Sequence, residues 1–305
     1  MRSLARFGIA VGHATDRVGA TGCTVIRGVD QPLRAAGAVL GRATGSRELA
    51  LLEPGHLVER VDAVFLTGGS AYGLDATAGV MRWMEERGRG FPVGPGVVPI
   101  VPAAVIFDLL PHGSFAARPT SEMAYAACNE AASEDVAEGS VGAGTGATVG
   151  KMLGPAGAMK GGVGIGIAEG NGCAAAAIAV VNAFGDVRDA SGAIIAGARD
   201  GQGAFADTAA AMARGAASQG FVAGTNTTLV AVVLDAAFTR LELKAIAESA
   251  TGAMQRRITP VGTAADGDIV FALSPMEGRR APLAQGEQLA ARAVEEAIER
   301  AVRLA

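Results

Sequence analysis

"GTNTTLVAVVLDA" (224–236) is the stretch on which the reading of this chain turns. Asn226 and two threonines lead into an apolar run that ends at Asp235. β-Branched side chains suit a strand entrance, so 227–235 is expected as a buried strand. A threonine hydroxyl where the chain leaves a loop also suits a nucleophile. A free hydroxyl is weak in that role and needs a base. A threonine that begins a chain carries one in its own α-amine, whose ordinary pKa is about 7.7–8. That arrangement requires a backbone cut between Asn226 and Thr227. The chain can make the cut itself: the hydroxyl attacks the preceding carbonyl, the acyl group shifts from N to O, and water hydrolyses the ester. On local residues alone, Thr227 is either a plain strand residue or this nucleophile.

Downstream, "TRLELKAIAESATGAMQRRI" (239–258) reads as a helix. Thr239 and Glu242 have capping-box spacing, and Leu243, Ile246, Ala247, Ala250 and Met254 share one face. "DGDIVFALS" (266–274) reads as a strand and "APLAQGEQLAARAVEEAIERAVRLA" (281–305) as an amphipathic helix. Strand, helix, strand, helix predicts a layered α/β domain with helices on the sheet faces.

Upstream, "VDAVFLTGG" (61–69) is a buried strand ending in a glycine turn. "SAYGLDATAGVMRWMEERGRG" (70–90) follows as a helix capped by Ser70 and stopped at Gly88, with Leu74, Ala78, Met81 and Met84 as its core face. "VPIVPAAVIFDLL" (98–110), broken by Pro99 and Pro102, suits an edge strand or an extended segment. "SEMAYAACNEAASEDV" (121–136) is a helix capped by Thr120 or Ser121. "GVGIGIA" (162–168) and "CAAAAIAVVNAFGDV" (173–187) pair as a hairpin. The stretch from Arg199 to Gly224 is an exposed connection with a short helix.

The chain has 305 residues, room for one large or two ordinary domains. Half the residues are apolar but only 4% are aromatic, and there are 44 glycines, so the core is expected to pack small side chains around close backbone approaches. A net charge of −4 with no basic run argues against a nucleic-acid partner. "CAAAAIAVVNAF" (173–184) is too short to span a membrane. The N-terminal segment lacks a long apolar region with a cleavage site, so a soluble cytoplasmic protein is expected. Cys23, Cys128 and Cys173 are scattered and odd in number, which suits small buried hydrophobes rather than a disulfide framework or zinc site. His13, His56 and His112 show no metal-binding spacing, and no GxSxG marks a serine triad.

Two stretches carry candidate chemistry beside Thr227. "GAGTGATVGK" (142–151) fails as a phosphate loop: the required glycine falls on Thr145, and Met152 follows Lys151. As a dinucleotide loop, Gly142-x-Gly144-x-x-Ala147 lacks a clear strand before it. Lys151 among glycines is either a surface lysine or an ammonium brought to the backbone to stabilise an anion. Asp266-Gly267-Asp268 is either a turn or a carboxylate pair that shares a proton at a strand entrance.

The order of these segments carries a resemblance. "VGHATD" (11–16), "GATGCTVI" (19–26), "LTGGSAYGLDATAGVMRWMEERGRGF" (66–91), "VPIVPAAVIFDLL", "GSVGAGTGATVGK" (139–151), "VVNAFGDV" (180–187), "NTTLVAVVLDA" and "DGDIVFALS" resemble, in order, the self-processing L-aminopeptidase/D-esterases. That family, peptidase family S58, includes β-peptidyl aminopeptidases and the endo-type nylon oligomer hydrolase. The resemblance implies an αββα sandwich, shared with the ornithine acetyltransferase type. It implies an N-terminal nucleophile hydrolase made as one domain and cut into an α chain (1–226) and a β chain (227–305). Thr227 would be nucleophile and, through its new amine, base. Asp266 and Asp268 match the pair that positions that group in the nylon-hydrolase branch, whereas the aminopeptidase branch has Ser and Glu there with a serine nucleophile. Lys151 and Asn182 match residues that line the site, and Tyr72 matches a tyrosine facing the oxyanion. Short peptides, amino acid amides or esters, or ω-amino acid oligomers are the implied substrates. No cofactor is implied, and a homo-oligomer, tetramer or larger, is. The competing readings are an acyltransferase of the ornithine acetyltransferase type and an uncleaved binding protein.

Overall fold

The alternation of small apolar side chains along one strand reveals the layering. In the strand Cys173–Asn182, Cys173, Ala175, Ala177, Ala179 and Val181 join one apolar cluster, whereas Ala174, Ala176, Ile178 and Val180 join another. Successive side chains of a strand point to opposite faces, so this strand is buried on both and reads as an unbroken apolar run.

The computed structural model describes residues 3–219 and 224–305. Its principal strands are β1 (Ile9–Asp16), β2 (Thr21–Gly28), β3 (Leu33–Val39), β4 (Ala63–Thr67), β5 (Ala103–Val105), β6 (Val163–Gly170), β7 (Cys173–Asn182), β8 (Thr227–Leu234) and β9 (Ile269–Pro275). The helices are α1 (Thr77–Glu85), α2 (Ser121–Asn129), α3 (Thr208–Ala213), α4 (Arg240–Arg257) and α5 (Leu283–Arg303). A five-stranded sheet runs β1-β2-β4-β5 and ends on the short strand Ser46–Arg47. A six-stranded sheet runs β6-β7-β8-β9-β3 and ends on Arg60–Val61. Within it β8 and β9 are parallel, joined through α4, and the other pairs are antiparallel.

Three apolar clusters fill the gaps between four layers. One lies between α4, α5 and the six-stranded sheet, a second between the two sheets, and a third between the five-stranded sheet and α1 with α2. This is the expected αββα sandwich. Glycine makes the outer contact tight: a Cβ on Gly164 or Gly166 of β6 would sit 2.0 Å from the Ala297 or Ala293 carbonyl of α5. All three cysteines are free and buried, as read. The capping box at Thr239 and Glu242 is formed, and the hairpin of β6 and β7 is in register.

The helix expected over 70–90 is corrected. Its first seven residues, Ser70–Ala76, form a 3-10 helix, and the α-helix begins at Thr77. Ser70 is no N-cap; it has φ of +53° and its N–H bonds to the Ile106 carbonyl at 3.0 Å. A 3-10 turn advances three residues rather than 3.6, so the buried face shifts to Val80, Trp83 and Met84. Ala78 is exposed, and Leu74 and Met81 are only partly buried. Gly88 does stop the chain, closing on the Glu85 carbonyl with φ of +64°. The helix expected over 121–136 ends earlier, at Asn129, because Ala132 turns back to bridge Val11. Thr120 caps it, accepting the Met123 N–H. The proline-flanked segment becomes β5, second from the sheet edge. The run 173–187 splits into β7 and a separate strand, Asp186–Arg188. β9 starts at Ile269, so both aspartates precede it. The connection from Arg199 carries α3, and its residues 220–223 lie outside the described residues.

Candidate active site

Strand register brings Asn182 and Thr227 together. They are direct partners, the last residue of β7 and the first of β8. Alternation sets Thr227 in the row of Leu229, Ala231 and Val233, which faces the second sheet. Asn182 continues the row of Ile178 and Val180 on the same face. Both therefore sit where the inter-sheet layer opens. The loop after β3 (Ala43–Gly45), the turn after β4 (Ser70, Ala71) and the end of β5 (Val105, Phe107) close a cavity of about 180 Å³ onto Thr227.

Two donors converge on the carbonyl before Thr227. Thr227 Oγ1 donates to the Asn226 oxygen at 2.6 Å, and the Gly267 N–H donates to the same oxygen at 2.8 Å. The Gly267 backbone comes this close because it has no side chain: a Cβ there would stand 2.7 Å from Thr227 Oγ1.

Lys151 is no surface lysine. It is 1% exposed, and its Nζ donates to Asn182 Oδ1 at 2.9 Å, to the Asn182 carbonyl at 3.1 Å and to the Thr225 carbonyl at 3.2 Å. Asn182 Oδ1 also accepts the Thr148 N–H, while its Nδ2 donates to the Phe107 carbonyl at 3.1 Å and the Thr225 carbonyl at 3.3 Å. Burial pushes the lysine pKa down to about 7, against the opposing charges of Asp266, Asp268 and Asp108.

The two aspartates serve as turn and as charge pair. Asp266 Oδ2 accepts the Thr263 N–H at 2.8 Å and closes the turn, while its Oδ1 is buried without a hydrogen-bond partner among the described residues. Asp268 accepts the Thr228 N–H at 2.6 Å and the Gly262 N–H at 2.9 Å. Burial, then the charge of Asp266, pushes Asp268 up to about 7, and burial also raises Asp266. The charge of Lys151 opposes the upward push of burial on both carboxylates.

Tyr72 is placed apart from this group. It is 49% exposed, with the Arg118 guanidinium 3.4 Å from its ring centroid. Its neighbours Ser70 and Ala71 line the cavity, and it does not. The run 142–151 forms no phosphate cradle. Gly142 and Ala143 give their N–H groups to Thr15 and Thr24, and the segment packs on β1 and β2.

Sequence reasoning missed Gly267 as a donor and missed Asp108 altogether. Asp108 is 1% exposed, accepts the Thr21 hydroxyl and the Gly69 N–H at 2.7 Å each, and is pushed up to about 6 by burial. It pins the turn that carries Ser70 and Ala71. A lone carboxylate inside the apolar run "VIFDLL" was its one signal. Among the described residues no cluster of three or more His, Cys, Asp or Glu is placed to hold a metal. No described helix is long and apolar enough to cross a membrane.

Comparison with known proteins gives the family and the fold. Peptidase family S58 matches residues 7–305. A Mycobacterium tuberculosis protein described as an uncharacterized aminopeptidase is 45% identical over 243 residues, 77% of this chain and 67% of that one. The 6-aminohexanoate-oligomer endohydrolase of Kocuria sp. is 30% identical over 282 residues, 88% of this chain and 74% of that one. Among solved structures, the L-aminopeptidase D-Ala-esterase/amidase of Ochrobactrum anthropi superposes with a TM-score of 0.70 at 21% identity, covering 96% of this chain and 83% of that one. It is described as a variant of the Ntn hydrolase fold. A Burkholderia sp. β-aminopeptidase gives 0.69 at 21% identity, covering 98% and 86%. The sandwich is therefore of the Ntn hydrolase kind, and with its match running from Phe7 to Ala305 the chain belongs to peptidase family S58, hydrolases of peptide or amide bonds.

Proposed function

We propose that the protein is a self-processing N-terminal nucleophile hydrolase with Thr227 as its nucleophile. The observation that carries this reading is the convergence of Thr227 Oγ1 and the Gly267 N–H on the Asn226 carbonyl. A donor on that oxygen stabilises the charge that develops when the hydroxyl adds to the carbon. Attack forms the Oγ–C bond, the C–N bond breaks with proton transfer to nitrogen, and water hydrolyses the ester. The products are residues 1–226 with a new carboxylate on Asn226, and residues 227–305 with a free amine on Thr227.

That amine then accepts the hydroxyl proton as Thr227 attacks an external amide. The leaving amine takes the proton, an ester forms on Thr227, and water releases the acid. In this reading Asp266, whose buried Oδ1 has no hydrogen-bond partner among the described residues, holds the new ammonium. Asp268 fixes the Thr228 amide and so the start of β8. Lys151 and Asn182 supply donors beside the reacting carbonyl. A role for Tyr72 at the oxyanion requires its ring to leave Arg118. Thr227 with two aspartates favours the nylon-hydrolase-like subgroup. Substrates in this reading are short peptides, amino acid amides or ω-amino acid oligomers. The enzyme would act in the cytoplasm as a homo-oligomer of α/β pairs.

Intact-mass measurement of purified protein tests the reading. Two fragments split before Thr227 are expected, with Thr227→Ala staying whole and inactive. A wild-type chain that stays whole and inactive on prolonged incubation rejects it.

A further inference from the structure

Arg118 is a partly buried cation with no anion beside it. Its guanidinium lies 3.4 Å from the ring centroid of Tyr72 and 5.7 Å from that of Phe115. Its Nε is buried and has no hydrogen-bond partner among the described residues, and no described carboxylate forms a salt bridge with it. Arg34, Arg60, Arg188 and Arg300 are also partly buried, and each of them reaches a carboxylate. A charge drawn out of water without a counter-ion is costly, so the place suits an anion that arrives from outside. Stacking on the rings fixes the plane of the guanidinium, and little freedom is left to lose when it binds.

The arginine is carried on the wall of the reaction site. Tyr72 follows Ser70 and Ala71, which line the cavity at Thr227. Pro119 backs the same turn: a Cβ on Gly69 would stand 3.0 Å from the Pro119 Cδ. The terminal carboxylate of a peptide always lies on the leaving-amine side of the bond that is hydrolysed. An extended residue spans about 3.3–3.6 Å, so in a short substrate that carboxylate stays within reach of the cavity wall.

Resting on the reading of Thr227 as nucleophile, we propose that Arg118 is a specificity-determining residue that takes the terminal carboxylate of a short substrate. The fitting class is a dipeptide or short ω-amino acid oligomer whose leaving amine carries a free carboxylate, in preference to the same compound ending in an amide. The guanidinium fork gives two parallel N–H groups to the two oxygens, which an amide, with one oxygen and no charge, does not match.

The test compares alanylalanine with alanylalanine amide on fully processed wild type, Arg118→Lys and Arg118→Met, with alanyl p-nitroanilide as a third substrate. In wild type, kcat/KM for the free acid is expected to exceed that for the amide by about tenfold or more, the scale of a hydrogen bond to a charged group, with the difference in KM. Arg118→Met should bring that ratio to about one. Arg118→Lys, which keeps the charge and loses the fork, should fall between. Fragment analysis shows whether each variant still folds and processes, and the wild-type ratio decides independently of both. A wild-type ratio of one or below, or a processed Arg118→Met enzyme that keeps the wild-type ratio, overturns the inference. Turnover of alanyl p-nitroanilide but of neither dipeptide also overturns it, and leaves Thr227 as nucleophile. A processed enzyme that turns over none of the three rejects it together with the hydrolase reading of the site.

Discussion

Asn182 and Thr227 end and begin neighbouring antiparallel strands as direct partners, and the Asn182 side chain reaches past Thr227 to the carbonyl of Thr225. Asn182→Ala removes the acceptor of Lys151 and of the Thr148 N–H, and one donor to the acyl side. Self-cleavage is expected to slow by about 100-fold or more, the usual scale for losing an oriented donor. A time course of fragment appearance after expression measures it.

Lys151→Met removes the cation from the buried carboxylates. Asp268, already raised to about 7, loses a favourable charge and rises further. A carboxylate whose folded pKa exceeds its unfolded value of about 3.8 costs stability as pH climbs from one to the other. Lys151 is itself pushed down by burial from 10.5 to about 7, so wild type gains stability as pH rises above 7 while the variant does not. Measured against wild type, the variant should therefore lose more at pH 8 than at pH 5. Thermal melts at the two pH values check the difference.

Gly267→Ala places a methyl 2.7 Å from Thr227 Oγ1 and 2.8 Å from the Ala43 carbonyl. Overpacking of this kind costs about 1–3 kcal/mol of stability. Processing should suffer far more, by at least about 100-fold, because the hydroxyl and the Gly267 N–H are displaced together. Circular dichroism and fragment analysis of one preparation separate the two effects.

His13 supplies a pH dependence away from the reaction. Its Nδ1 shares a hydrogen bond with Thr24 Oγ1 at 2.9 Å, and that oxygen also accepts the Ala143 N–H. Burial pushes its pKa down to about 4, below its unfolded value of about 6.5. A depressed pKa gives stability that is full above about pH 6.5 and lost as pH falls toward 4. His13→Asn, which keeps an acceptor near Nδ1, should remove on the order of 2 kcal/mol of this acid sensitivity. Stability measured at pH 7 and pH 4.5 in both proteins gives the answer.

The layers were legible because burial on one or both faces leaves its mark on periodicity. Unbroken apolar runs gave β7 and β8, and capping residues gave α4. What failed depended on partners distant in sequence. Ser70 adopts its left-handed backbone only because the Ile106 carbonyl takes its N–H, which no local pattern announces. Lys151 looked at home on a surface because the groups that bury it, Asn182 and Thr225, lie 31 and 74 residues away. The order of whole segments pointed to Thr227, Asp266, Asp268, Asn182 and Lys151, which the fold does bring together. Tyr72 stayed outside, Gly267 acts through its backbone N–H, and Asp108 acts through a carboxylate whose partners, Thr21 and Gly69, lie 87 and 39 residues away.

β8 and β9 lie side by side in the six-stranded sheet, flanked by β7 on one edge and β3 on the other. Both flanking strands come from before residue 227, and both enclosed strands from after it. A break before Thr227 thus severs the chain without opening a seam, since every ladder across the break is made by hydrogen bonds and packing. Neither piece carries the complete six-stranded sheet, so in that sheet β3 and β7 depend on β8 and β9 to fill the gap between them. If the chain is cut as proposed, assembly has to precede scission, since a chain cut too soon would leave β3, β7, β8 and β9 with unpaired edges.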